Sequence, residues 1–234
     1  MAEIKNSRIE ITDGTLIPDK GEKSIFSAWK LAFFGAIALI VILPVVKPDP
    51  YFEILKFIPD GVIATFQVTI LSIILSFFIG LLTGLGRISR VTIFNRIATV
   101  YVEVIRGIPL LVQLFYIYYA LGKIVQVPRL ASAVIAMAVC YGAYMGEIFR
   151  AGILSIPRGQ MEAALALGLS RAQAIRKVIL PQPIKVILPP IGNEFIALLK
   201  DSSLVSILAV SDLLRRGREY ASTTFMYFES YTMV

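Results

Sequence analysis

The chain has 234 residues, of which 57% are hydrophobic and only 17% are charged, and its formal net charge is +7. This composition excludes an ordinary soluble globular domain and is typical of an integral membrane protein. One cysteine and no histidine are present, which excludes an internal disulfide, a thiolate metal site and histidine-based catalysis.

The N-terminal part of the sequence divides into a polar tail and a first apolar segment. Residues 1–27 carry mixed charges and have no apolar run before Ile25, so they lack the features of a signal peptide. We predict that they form a cytoplasmic tail. Residues 28–58 contain the uncharged window Leu31–Val46, and we predict an N-terminal transmembrane helix followed by an external loop.

Four further apolar windows follow along the chain. They are Gly61–Gly86, Gly107–Gly122, Leu130–Gly146 and Val186–Leu199, the last interrupted by Glu194. A spanning helix needs about 20 residues, so the shorter windows must extend into their flanks.

Lysine and arginine placement predicts the orientation. With the tail inside, thirteen of the 23 basic residues fall in inner segments and eight in outer segments, the bias expected for cytoplasmic loops. This count places residues 153–181 in the cytoplasm and the N-terminus on the same side. The net charge fits such a loop distribution, so nothing in it points to nucleic acid.

Two Glu/Arg pairs lie near predicted membrane boundaries. Glu103 and Arg106 are three residues apart, as are Glu147 and Arg150, so each pair shares one helix face. We predict structural ion pairs at the inner boundary; a direct functional role is the alternative. Separately, the small-residue spacing of Gly80–Gly86 predicts close packing against a neighbouring helix or a second subunit.

A polar stretch, Glu162–Pro181, interrupts the apolar sequence. Its first six residues are strong helix formers, and Gly168 is the residue type at which helices commonly end. Ser170 and Gln173 have the spacing of a capping box, so a second helix begins after Ser170. Pro181 lacks an amide hydrogen, and we predict that the second helix ends there. A capped helical hairpin in an apolar chain predicts a docking element for another protein; a plain amphipathic surface hairpin is the alternative.

The segment after Pro181 combines prolines with polar side chains. Pro183, Pro189 and Pro190 are expected to interrupt helical hydrogen bonding, and irregular backbone at membrane depth is tolerated mainly where it lines a cavity. Broken helices with polar groups are a recurring way to bind a charged solute. The candidate solute-path residues are Asn193, Glu194, Lys200, Asp201, Ser202 and Ser203. The alternative is a subunit contact, with Lys200 and Asp201 paired at the outer surface.

The stretch EAALALGLSRAQAIRKVILP resembles the EAA-loop signature of the permease subunits of bacterial type I ABC importers. The pattern is E-A-A, three residues, G, nine residues, I, one residue and L-P, and Val178 stands where isoleucine is usual. The matching residues are Glu162, Ala163, Ala164, Gly168, Leu180 and Pro181.

Three other segments resemble permeases of the polar amino acid branch. They read EVIRGIPLLVQLF, AYMGEIFRAGILSIPRGQ and LLKDSSLVSI, and with the signature they cover most of Gly61–Tyr231. The resemblance implies an all-α importer transmembrane domain over residues 59–234, with a five-helix core, an extra N-terminal helix and a coupling loop at about 153–181. Helix parity leads us to expect one more membrane crossing after Thr232, by a final helix that the sequence lacks; the alternative is that the chain ends outside.

The same resemblance implies a function. The chain would form half of the translocation path of an ATP-driven importer for polar amino acids in the bacterial inner membrane. Its implied partners are a second permease subunit, two ATP-binding subunits, an external solute-binding protein and membrane lipid. The sequence has no phosphate loop and no other catalytic motif, so ATP and Mg would be bound by the partner and the chain itself is not expected to be an enzyme.

A zwitterionic amino acid needs an anion beside its ammonium group and hydrogen-bond donors for its carboxylate, which assigns roles to the candidate residues. Glu194 or Asp201 would bind the ammonium group of an amino acid, and Ser202 and Ser203 its carboxylate. The alternatives are a permease for another small solute and a secondary transporter or channel.

Overall fold

The structure is a computed structural model that describes residues 28–124, 127–157 and 159–234, so the predicted tail at residues 1–27 lies outside it. The described residues form helices and turns without a β-strand. The helices are α1 (Ala28–Val46), α2 (Pro48–Phe57), α3 (Pro59–Ile88), α4 (Thr92–Gly107), α5 (Leu110–Ile124), α6 (Arg129–Leu154), α7 (Gly159–Ala166), α8 (Arg171–Ala174), α9 (Pro181–Asp201), α10 (Leu213–Thr224) and α11 (Tyr227–Met233). A π-helical turn, Ile175–Ile179, lies between α8 and α9, and a 3₁₀ segment, Ser202–Leu208, follows α9.

The chain separates into two compact units, one up to Asp49 and the other Pro50–Val234. The described part of the first unit is the apolar helix α1 followed by Lys47 and the first two residues of α2. Among the described residues, α3 and α6 are the two helices that are long and apolar enough to cross a membrane by themselves. Two helix pairs, α1 with α2 and α4 with α5, meet the same criterion only when each pair is joined across its break.

The centre of the second unit is the packed pair α3 and α6. A Cβ added at Gly80 would overlap the Cβ of Met145, and one added at Gly84 would lie 2.7 Å from the Cβ of Phe149. Glycine therefore lets the two backbones approach closely, which is how helices associate in lipid. The close packing predicted from the glycine spacing is confirmed at these two positions.

The predicted window Gly107–Gly122 contains a break. Gly107 ends α4, Ile108 is extended ahead of Pro109, and α5 leaves at a bend of 110°. The amide nitrogen of the Gln113 side chain donates to the carbonyl oxygens of Ile105 and Ile108, both at 2.8 Å. The Ile105 carbonyl also accepts from the Ile108 amide, so the Gln113 side chain adds a second bond there and fastens the start of α5 to the end of α4.

The expectation of a broken helix after Pro181 is wrong. α9 runs without interruption from Pro181 to Asp201 and contains Pro189 and Pro190. Each proline removes a hydrogen bond without forcing the helix to end, because neighbouring helices and local adjustments stabilise the helical path at membrane depth. The regular helix changes instead at Ser202, where the 3₁₀ segment begins.

The helix α10 is fastened to the start of α3. Arg216 pairs with Asp60 of α3 and, at 2.8 Å, with Glu219, while Arg215 pairs with Glu219 at 2.7 Å. Arg215 and Arg216, two of the eight basic residues counted in outer segments, therefore both have carboxylate partners. The buried Asp212 caps α10 by accepting from the Arg215 amide at 3.2 Å, and burial raises the pKa of its carboxyl to about 6.

Large apolar side chains remain exposed on several helices. On α3 the exposed fractions are 58% for Ile63 and 72% for Leu82, and on α4 Ile97 is 63% exposed. Apolar surface of this extent is the kind that lipid or a second subunit covers.

Candidate functional site

The tip of the Glu162–Pro181 stretch folds as the predicted turn between two helices. α7 ends in a Schellman motif in which Leu169 donates to the carbonyl of Ala164 at 3.2 Å, and Gly168 adopts φ +82°. The capping box is confirmed: Gln173 N donates to Ser170 Oγ at 3.3 Å, and Ser170 N donates to Gln173 Oε1 at 2.9 Å.

We name α7, α8 and the π turn the coupling unit (Gly159–Ile179). Ala164 on α7 and Ala174 on α8 are buried, with 3% and 0% of their surface exposed, and form the interior of this small unit. Of the six residues matching the signature, Ala164 alone is buried. The other five, Glu162, Ala163, Gly168, Leu180 and Pro181, are exposed.

Leu167 was not recognised from the sequence, although it is the most exposed leucine of the coupling unit at 84%. It directly precedes Gly168, so the left-handed turn presents it at the tip of the hairpin. An apolar side chain next to a helix-ending glycine, in a segment predicted to face water, was the signal that could have indicated it.

The predicted end of the second helix at Pro181 is wrong. Leu180 N donates to the carbonyl of Ile175 at 2.8 Å, a bond to the fifth residue back, and Pro181 then occupies the first turn of α9. Proline is favoured there because that turn does not need its amide hydrogen. The hairpin therefore continues directly into α9.

The candidate solute-path residues lie around the end of α9. Asp201 accepts a hydrogen bond from the Tyr141 hydroxyl at 2.7 Å. Ser202 donates to the carbonyl of Leu199 at 2.7 Å, and Ser203 donates to that of Lys200 at 2.9 Å. The serine hydroxyl protons are thus used locally.

The other candidates separate into exposed and clustered residues. Asn193 and Lys200 are exposed, and no ion pair joins Lys200 to Asp201 in the part of the chain that the structure describes. Glu194 is half-buried and lies within the electrostatic influence of Arg106 and Asp201.

Arg106 has a different environment from the one predicted. Its guanidinium lies 5.1 Å from the ring centroid of Tyr144, and no ion pair joins it to Glu103 within the described ranges. The predicted Glu147–Arg150 pair is confirmed, and Glu147 also pairs with Arg87 of α3. A separation of three residues therefore predicted the Glu147–Arg150 ion pair correctly, but it did not predict the environment of Arg106.

We name the group formed by Arg106, Tyr141, Tyr144, Glu194 and Asp201 the polar cluster. It brings one cation, two carboxylates and two aromatic rings from α4, α6 and α9 into one region. Both charge signs are present, which suits a solute carrying both an anion and a cation. Among the described residues, no group of histidine, cysteine, aspartate or glutamate side chains could hold a metal ion.

Comparison with known proteins identifies the family. Residues 72–234 match the family described as the binding-protein-dependent transport system inner membrane component, and the chain belongs to it. It is thus a membrane permease component of an ABC transport system.

Individual relatives agree with this assignment. The chain is 44% identical over 160 residues to the L-cystine transport system permease protein TcyB of Bacillus subtilis strain 168, covering 68% of each chain. It is 39% identical over 178 residues to the glutamine transport system permease protein GlnP of Escherichia coli K12, covering 75% of this chain and 81% of the relative.

A solved structure confirms the fold. The chain superposes on an amino acid ABC transporter crystallised with histidines with a TM-score of 0.68 and 38% identity, covering 86% of each chain. The predicted fold class, an all-α transmembrane domain of a type I ABC importer, is confirmed.

Proposed function

We propose that the chain is the permease subunit of an ATP-driven importer for polar amino acids, and that it forms half of the translocation path. The observation that carries the proposal is the exposed, capped coupling unit on a chain whose relatives are amino acid permeases. A short rigid hairpin suits a helix-in-groove contact with a cytoplasmic ATPase.

The partners follow from this role. A path on a two-fold axis needs a second permease subunit, identical or homologous. Two ATP-binding subunits would dock on the coupling unit and hold ATP and Mg, and a solute-binding protein would deliver the amino acid from outside. In this arrangement the N-terminus and the coupling unit are cytoplasmic, as the charge bias predicts.

The polar cluster is the proposed contact with the solute. Glu194 and Asp201 supply negative charge for an ammonium group, and Arg106 supplies a planar cation for a carboxylate. Arg106 replaces Ser202 and Ser203 in this role, because both serine hydroxyls already donate to carbonyls in the last turn of α9. Asn193 and Lys200 remain candidates for the wider path.

Substitution of Gly168 tests the coupling role. Gly168→Val places a β-branched residue at φ +82°, where only glycine is unstrained, while no atom lies within 4 Å of the added Cβ. The change therefore acts on the shape of the tip and leaves the packing untouched. In proteoliposomes containing the assembled complex, we expect ATP hydrolysis to continue while uptake falls. Normal coupling in this variant would contradict the docking role.

Dependence on ATP separates this function from a secondary transporter. The importer should co-purify with a cytoplasmic ATPase, and vanadate should block its uptake. Uptake by the chain without an ATPase would support the secondary transporter instead.

Glu194→Gln tests the solute contact: unchanged uptake and unchanged substrate-stimulated ATPase activity would remove Glu194 from the path.

A further inference from the structure

The coupling unit and the polar cluster are connected by one helical run. α8, the π turn and α9 follow one another from Arg171 to Asp201, a path of 31 residues or about 46 Å at helical rise. A movement of the coupling unit can therefore be transmitted along this run to Glu194 and Asp201. Transmission requires that both helices of the hairpin, α7 and α8, stay attached to the run.

The π turn is the irregular part of this helical run. The bond from Leu180 N to Ile175 O inserts one extra residue into the turn, directly before Pro181. The proline has no amide hydrogen to offer to the carbonyl of Lys177. A π turn is rare and is frequently found at functional sites. Here it separates the docking surface from α9.

One side chain spans this joint. The side-chain amide nitrogen of Gln182, at the start of α9, donates to the carbonyl of Val178 in the π turn at 2.9 Å and to Gln160 Oε1 at 3.3 Å. Gln160 lies in the first turn of α7. Gln182 thus connects α9, the π turn and the first helix of the hairpin, whereas the buried side chains of α7 and α8, Ala164 and Ala174, are small.

We propose that Gln182 is a positioning residue that makes the coupling unit and α9 move as one body, so that ATP-driven movement reaches the polar cluster. This inference rests on the proposed coupling function. Without the Gln182 bonds, α7 would turn about the π joint, and the ATPase would move the hairpin without moving α9 to the same extent.

The test measures the number of ATP molecules hydrolysed per solute imported by the reconstituted complex. Gln182→Glu keeps the shape of the side chain but has no N–H group, so it cannot donate to the Val178 carbonyl or to Gln160 Oε1, and a rotated Gln160 amide is the one donor that could still reach the new carboxylate. We expect this ratio to rise about threefold or more, the effect typical of losing one or two neutral hydrogen bonds. Gln182→Arg retains N–H donors and should keep the ratio near that of the wild type. Lys185→Ala, at an exposed position of the same helix, is the matched control and should leave the ratio unchanged.

A double-mutant cycle isolates the bridge. Gln160→Ala alone removes only the bond to α7 and should raise the ratio by a smaller factor, and it should add little to Gln182→Glu because the two act through one contact. A wild-type ratio in the double variant Gln160→Ala with Gln182→Glu, in which no hydrogen bond can join the two positions, or fully additive effects, would overturn the proposal. Co-purification with the ATPase and an unchanged unfolding temperature check that each variant assembles, and Gln160→Ala, on the exposed surface, keeps the test valid if Gln182→Glu does not fold.

The Gly168→Val variant distinguishes the two levels of failure. If Gly168→Val uncouples transport and the double variant does not, the coupling unit stands and only the role of Gln182 fails. If neither variant changes the ratio, the coupling role of the hairpin fails with it.

Discussion

At the scale of single residues, Gly80 shows how the α3 and α6 pair depends on the absence of a side chain. An added Cβ would overlap the Met145 Cβ and lie 2.9 Å from its carbonyl carbon, which is backbone and cannot rotate away. Gly192 on α9 is also inside a helix, yet no atom lies within 4 Å of its added Cβ. Replacing either glycine with alanine therefore raises the helix propensity equally, but only at Gly80 does the added methyl group meet packed atoms.

We predict opposite effects of alanine at these positions. Gly80→Ala should reduce stability by about 1–3 kcal/mol, the usual cost of overpacking, whereas Gly192→Ala should be neutral or stabilising by about 0.5–1 kcal/mol. Thermal unfolding of the two variants in the same detergent measures the difference. Equal unfolding temperatures would show that α3 and α6 do not pack as closely as described.

Asp212 gives a pH-dependent prediction. Burial raises its pKa from 3.8 to about 6, so the folded state favours the protonated carboxyl. The stability linked to this proton is fully present below the unfolded pKa and is lost as the pH rises through the folded pKa. Asn is a comparable helix cap and cannot ionise.

The Asp212→Asn variant should therefore gain stability over the wild type as the pH rises. We expect similar unfolding temperatures at about pH 4 and an advantage for the variant, on the order of a few degrees, at about pH 7.5. Asp212→Ala is the control that removes the cap and should be less stable at both pH values. A constant difference between Asp212→Asn and the wild type would show that the carboxyl does not titrate in this range.

At the scale of elements, α4 presents two different exposed faces. One face is apolar and includes Ile97 and Val104, which are 63% and 52% exposed. The other carries the exposed residues Arg96 and Glu103. Charged side chains at membrane depth need water or a partner. We therefore infer that the face with Arg96 and Glu103 contacts water and that the apolar face is covered by lipid or protein.

Single cysteines on the two faces test this inference. We expect a cysteine at Glu103 to react with a charged, membrane-impermeant thiol reagent about tenfold faster than one at Val104, because the thiolate forms in water and is suppressed in apolar surroundings. The native Cys140 is only 3% exposed and provides a low background. Equal rates at the two positions would contradict the assignment of the faces.

Sequence predicts those features of the elements that depend on neighbours along the chain. The hairpin tip follows from Gly168, Ser170 and Gln173 because each acts within three or four residues. The bend after Gly107 was missed because it is held by a glutamine side chain in the next helix. The local properties of a proline likewise do not reveal whether a helix ends at Pro181 or relaxes into a π turn.

The polar cluster was only partly predictable for the same reason. Glu194 and Asp201 follow from the presence of carboxylates in an apolar segment. Arg106 on α4 contacts Tyr144 on α6, a residue 38 positions further along the chain. Spacing along a single helix predicted a Glu103 partner instead, because it contains no information on how α4 packs against α6.

At the scale of the whole molecule, the polar cluster predicts recognition of both ends of an amino acid. Arg106 lies at the end of α4, while Glu194 and Asp201 lie on α9, so the two charge signs come from different helices. A zwitterion satisfies both signs at once, and a solute with only one charge leaves the other unpaired at an energetic cost.

Thermal stabilisation of the assembled permease and ATPase complex tests this prediction, without the solute-binding protein so that its own affinity does not contribute. We expect a polar L-amino acid at about 100 times its Kd to stabilise the complex by about 2.7 kcal/mol, while its N-acetyl and carboxamide derivatives should give little stabilisation. Arg106→Gln should remove the discrimination against the carboxamide, and Asp201→Asn should weaken the discrimination against the N-acetyl form, because each substitution deletes the charge that the missing group would have met. Equal stabilisation by all three ligands would mean that the cluster balances charge within the protein and does not bind the solute.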